Sequence, residues 1–79
     1  MSKETSSQSI IWREPDGSVI ACHEKIKVLN ENYTELRTLM QDVLDDALLL
    51  GCSEKQVRLL LHQLADEVPA TVSERTNST

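Results

Sequence analysis

The stretch Asp46–Leu64, "DALLLGCSEKQVRLLLHQL", decides the fold. It contains Gly51, the only glycine in the second half of the chain, followed at once by Cys52 and Ser53. Glycine most readily takes the left-handed conformation that closes a helix. Ser53 with Gln56 three residues later is the pattern of a capping box, which opens one. Glu54 in the first turn complements the positive end of the new helix dipole. The stretch therefore reads as helix, two-residue link, helix, a normal connection between antiparallel neighbours. Chain reversal accounts for every residue of "GCSE", and the corner requires no chemistry.

Working back from the corner, apolar residues fall at Ile26, Leu29, Tyr33, Leu36, Met40, Val43, Ala47 and Leu50, spaced 3, 4, 3, 4, 3, 4, 3. That is an a/d heptad pattern sustained over about four repeats. Leu39, Leu44 and Leu48 widen the stripe toward the broad face of a bundle helix, and Glu31, Glu35, Asp42 and Asp45 lie opposite. Asn32 with Glu35 resembles another capping box, where the helix could restart. The heptad phase runs through "NENYTE" without a slip, however, which favours one continuous helix over about 23–50. Working forward, Val57, Leu61, Leu64 and Val68 repeat the pattern, with Leu60 widening it, over about 54–67. Pro69 ends this helix, because the residue before a proline is disfavoured from α.

Ahead of the helices stands "IIWREPDGSVIA" (10–21), in which two short β-prone runs flank "EPDG". Pro15 suits position i+1 of a turn, Asp16 position i+2, and Gly17 tolerates φ > 0. A short β-hairpin or turn arm is predicted, and an isolated two-stranded hairpin must lean on something apolar to persist. Residues 1–9 and 69–79 are polar and read as disordered tails. The predicted fold is thus mainly α: an antiparallel helical hairpin with an N-terminal arm, one domain over 10–68, assembled as a four-helix bundle in a dimer.

Composition narrows the function. The 79 residues carry 13 acidic and 8 basic side chains, a net charge of −5, with the basic residues scattered. Nucleic acid and anionic membrane surfaces both demand a basic face, so neither is expected as a partner. With one Trp, one Tyr and no Phe, base-stacking platforms are missing as well. No run approaches the ~18 apolar residues of a membrane span. "MSKETSSQS" has no apolar core of the kind a secretory leader carries, so a cytoplasmic chain with reduced thiols is expected.

Cys22, His23, Cys52 and His62 invite a metal reading. A continuous helix rising ~1.5 Å per residue would hold Cys22 and Cys52 about 40 Å apart, too far for one disulfide or one zinc ion. Only a site shared between subunits survives, so a thiol- or metal-responsive dimer using Cys22 and Cys52 stands as the alternative function. Cys52 is a candidate reactive thiol because it precedes a helix N-terminus. Asp42 and Asp46 share one side of the helix, with nothing apolar around them to raise a pKa. There is no phosphate loop and no Ser/His/Asp arrangement, so no cofactor and no enzyme activity are expected.

The helices differ in length, roughly 28 against 14 residues. Folded back, the short one is expected to cover Leu39, Met40, Val43, Leu44, Ala47, Leu48 and Leu50, and to leave Ile26, Leu29, Tyr33 and Leu36 open. Either the arm folds down over this front half, with Trp12 and Ile10 as its lid, or a second copy covers it. Self-association through Ile26, Leu29, Tyr33 and Leu36 is the expectation taken forward. The function expected is a small non-enzymatic interaction module or adaptor, a homodimer with a further protein partner. Trp12 is the candidate partner-binding residue, since aromatic anchors dominate hot spots. A small helical chaperone or secretion-type component shares only the shape.

Overall fold

A computed structural model describes residues 10–75. The tail expected at 1–9 lies outside the described residues, as do the last four residues of the tail expected at 69–79. Two helices form: α1, His23–Leu49, and α2, Glu54–Glu67. The chain divides into two compact units, one holding the arm and α1 as far as Arg37, the other running from Thr38 to Ser73.

In the first unit the turn forms where Pro15, Asp16 and Gly17 require it. The Gly17 N–H donates to the Glu14 carbonyl at 2.8 Å, and the Glu14 N–H donates to the Ser18 carbonyl at 2.8 Å. Gly17 sits at φ 92°, the glycine-bulge geometry of a three-residue hairpin loop. Asp16 Oδ1 accepts from the Ser18 N–H at 2.9 Å and from Ser18 Oγ at 2.7 Å, pinning the loop. The strands expected on either side do not follow. Arg13 and Val19 make one isolated antiparallel bridge, and no strand forms among the described residues. Each β-prone run is only three residues long, and two such runs cannot build a ladder of their own. The element is a turn arm.

α1 starts after Cys22, whose carbonyl accepts from the Ile26 N–H at 3.0 Å. It continues through Asn30–Asn32 without a break over its 27 residues. The continuous helix favoured by the unbroken heptad phase is the one that forms, and the alternative restart at "NENYTE" does not occur.

In the second unit the corner is built as its residues dictate. The Cys52 N–H donates to the Ala47 carbonyl at 2.9 Å and the Gly51 N–H to Leu48 at 3.1 Å. With Gly51 at φ 99°, these two bonds are a Schellman closure that satisfies the last carbonyls of α1. Ser53 is extended, and its Oγ accepts from the Gln56 N–H at 3.1 Å, capping α2. Val68, held extended by the following proline, ends it. The helices pack as a hairpin through Val57, the one buried hydrophobic residue among the described residues, with Leu44, Ala47 and Leu61 half-buried. This cover is narrower than expected, since Leu39 and Leu50 remain 59% and 85% exposed. Two cylinders touch along a line, and a single short helix cannot roof a stripe half a turn wide.

The corner can be tested directly. Gly51→Ala should cost about 1–2 kcal/mol through φ alone, because an added Cβ would meet nothing within 4 Å. Ser53→Ala should cost about 1 kcal/mol for the lost cap. Urea unfolding followed by circular dichroism reads both, and an unchanged midpoint in either variant would show that the corner does not hold the hairpin.

Candidate functional site

The arm meets α1 through one aromatic side chain. Trp12 Nε1 donates to Asn30 Oδ1 at 2.8 Å, and its ring sits edge-on to Tyr33, with centroids 6.5 Å apart and planes 78° apart. Edge-to-face geometry places a positive ring edge on a negative ring face. The Ile20 N–H donates to the Trp12 carbonyl at 2.9 Å, holding the indole in place from the arm side. Ile10, Trp12, Ile20, Ile26, Leu29 and Asn30 are all half-buried here. Of the four residues expected to need cover, Ile26 and Leu29 thus gain part of it, Tyr33 stacks roughly perpendicular to the indole, and Leu36 stays 54% exposed.

Asn30 is the residue that sequence reasoning missed. It lies two residues before Asn32, where the helix could have restarted, and it supplies the acceptor a half-buried indole N–H requires. It stands four residues after Ile26 and three before Tyr33, on the same side of a helix as both. A lone polar residue on the edge of an apolar stripe, facing an arm with one Trp, was the available signal.

The second unit offers a surface of another kind. Leu39, Met40, Val43, Leu48 and Leu49 on α1 with Leu50 just past its end, and Leu59, Leu60 and Leu64 on α2 with Val68 just past its end, are all exposed. Met40, Arg58, Leu61, His62 and Ala65 line a shallow cleft of about 280 Å³. Its one cation is engaged already, since Arg58 Nε donates to Glu54 Oε2 at 2.9 Å. No polar or charged residue is buried among the described residues.

The two thiols flank α1. Both Cys22 and Cys52 are exposed and free. Cys22 is the more notable, because it occupies the N-cap of α1. The N–H groups of Lys25 and Glu24 hold its thiol below the ordinary range, and the Lys25 charge assists. Attention to the glycine corner directed the sequence reading to Cys52 instead. Among the described residues no three His, Cys, Asp or Glu side chains gather as a metal ion would need. In the turn, Asp16 is likewise held below its usual range by the Ser18 N–H and hydroxyl.

No described helix is long and apolar enough to cross a membrane. No protein-family model, no curated protein and no solved structure matches the chain.

Two outcomes follow from this geometry. Asn30→Ala should cost about 1 kcal/mol for the lost hydrogen bond and shift Trp12 emission to the red; unchanged emission would show that the indole does not dock on α1. In a Cys52→Ser background, the iodoacetamide reaction of Cys22 should reach half its maximal rate at a lower pH in native protein than in urea. The lowered thiol pKa adds stability above the unfolded thiol's pKa, and this is lost as pH falls through the folded value. Equal midpoints in native and urea conditions would dismiss the cap's effect on Cys22.

Proposed function

We propose that this chain is a small non-enzymatic protein–protein interaction module that works as a self-associated helical hairpin. Its first partner is a second copy, completing a four-helix bundle, and a further protein docks on the assembled surface. One observation carries the reading: Val57 is the one buried hydrophobic residue of the hairpin, while large apolar side chains stand open on both helices. A helix of 14 residues is marginal in water by itself and draws its stability from packing. Burying one valine contributes about 1.5–3 kcal/mol, little against the ~1–2 kcal/mol of backbone entropy for each residue ordered. In this reading additional burial comes from outside the hairpin, and an isologous partner is the commonest source.

The front residues Ile26, Leu29, Tyr33 and Leu36 contribute to self-association in this reading, with Leu36 the most open of them. Half-buried Trp12 is the candidate anchor for the further partner.

A second reading, a thiol-responsive dimer, is favoured by the exposed Cys22 at the start of α1 with its lowered pKa. A disulfide between two subunits would form by loss of two protons and two electrons to an oxidant such as diamide.

Sedimentation equilibrium at tens of micromolar should find a dimer under reducing conditions, and a stably folded monomer would contradict the main reading. Diamide should produce a covalent dimer on non-reducing gels that Cys22→Ser abolishes; thiols that remain free would remove the second reading.

A further inference from the structure

On α1, half-buried Leu44 and Ala47 mark the line along which the helices meet, and on α2 buried Val57 and half-buried Leu61 mark it. At about 100° per residue, Leu39 and Val43 fall about 70–110° to one rotational side of the α1 line. So does Leu50, which lies one residue past the end of α1 but keeps the helical bond from its N–H to the Asp46 carbonyl at 3.0 Å. Leu60 and Leu64 fall about 40–80° to the same rotational side of the α2 line. Because the two helices run in opposite directions in a hairpin, the same rotational sense on each brings both flanks to one side of the pair. These five residues are 59%, 41%, 85%, 51% and 51% exposed in that order. The nearest charged positions beyond them are Asp46 on α1 and Glu67 on α2, which form a rim and do not interrupt the face. Leu49 and Leu59, also exposed, lie on the far backs of their helices.

We infer that this flank, formed by Leu39, Val43, Leu50, Leu60 and Leu64, is the surface on which a second copy of the hairpin seats, face to same face. The inference rests on the self-association reading above and moves its centre from the front of α1 to the flank of the hairpin. Area supports the occupant. Five half-open side chains present on the order of 400 Å² of apolar surface, near the apolar share of the roughly 800 Å² per partner in a standard interface. The face is also self-complementary in charge: an uncharged centre meets an uncharged centre, whereas a basic partner segment would find acid only at the rim. The front of α1, by contrast, already carries the indole of Trp12.

Sedimentation equilibrium of three proteins, each checked for helicity by circular dichroism, tests the assignment. Wild type should be dimeric. Leu60→Glu/Leu64→Glu should weaken the dimer by at least about 100-fold, while Leu49→Glu/Leu59→Glu should leave it within a few-fold of wild type. A dimeric wild type whose affinity is unmoved by Leu60→Glu/Leu64→Glu would overturn the face and leave self-association standing; a monomeric wild type would overturn both. Should the flank variant lose its helicity, wild type itself decides. In the dimer, the methyl signals of Leu39, Val43, Leu60 and Leu64 should resist broadening by a soluble gadolinium chelate, and those of Leu49 and Leu59 should not. Equal broadening of the two sets would overturn the proposal.

Discussion

Two helices joined by a tight corner share one line of contact, and that line limits how much apolar surface the pair can remove from water. Here it buries Val57 and half-buries Leu44, Ala47 and Leu61. The heptad stripe of α1 is broader than the line, because Leu39 and Leu48 widen it on opposite sides. What lies beside the contact stays wet: Leu39 and Val43 on one helix, Leu60 and Leu64 on the other. The corner itself is firmly specified by the two bonds of the Schellman closure and the serine cap on Gln56. A well-made turn thus holds together two helices that have little core between them. The small core and the exposed flank are two consequences of the same geometry, and the proposed partner would cover that flank.

The arm solves a smaller version of that problem at the other end of α1. Lacking a strand ladder, it is tied to the helix through the indole of Trp12, which donates to Asn30 and packs at a steep angle to the Tyr33 ring. A polar bond of this kind fixes where the arm sits more than it stabilises the chain, since the net gain of one hydrogen bond is about 1 kcal/mol. Ile26 and Leu29 gain partial cover as a result. The front of the stripe and its rear flank therefore differ in kind, one roofed in part by its own chain and the other open.

The features legible in the sequence are those set by local physics. Gly51, Ser53, Gln56 and Pro69 act on the backbone within a few residues, so the end of α1 and both ends of α2 could be read from them, and the unbroken heptad phase carried α1 through Asn30–Asn32. The features that were not legible depend on what the chain meets at a distance. Whether Ile10–Trp12 and Val19–Ala21 pair as strands depends on a neighbour that three-residue runs lack. Asn30 acquires its role only when Trp12 arrives eighteen residues from its own position. Cys22 drew less notice than Cys52, because no glycine or capping pattern marks the start of α1. The width of cover that α2 affords is a property of packed cylinders, and counting turns of helix overstated it.

The central claim is that the hairpin is completed by a second copy of itself. Thermal unfolding followed by circular dichroism at 222 nm, repeated over a hundredfold range of protein concentration, tests it most directly. A fold that requires its partner melts at a temperature that climbs steadily with concentration, as mass action demands, with helicity declining at the dilute end even in the cold. A single melting temperature across the whole range, with full helicity retained on dilution, would show a self-sufficient monomer and contradict the account.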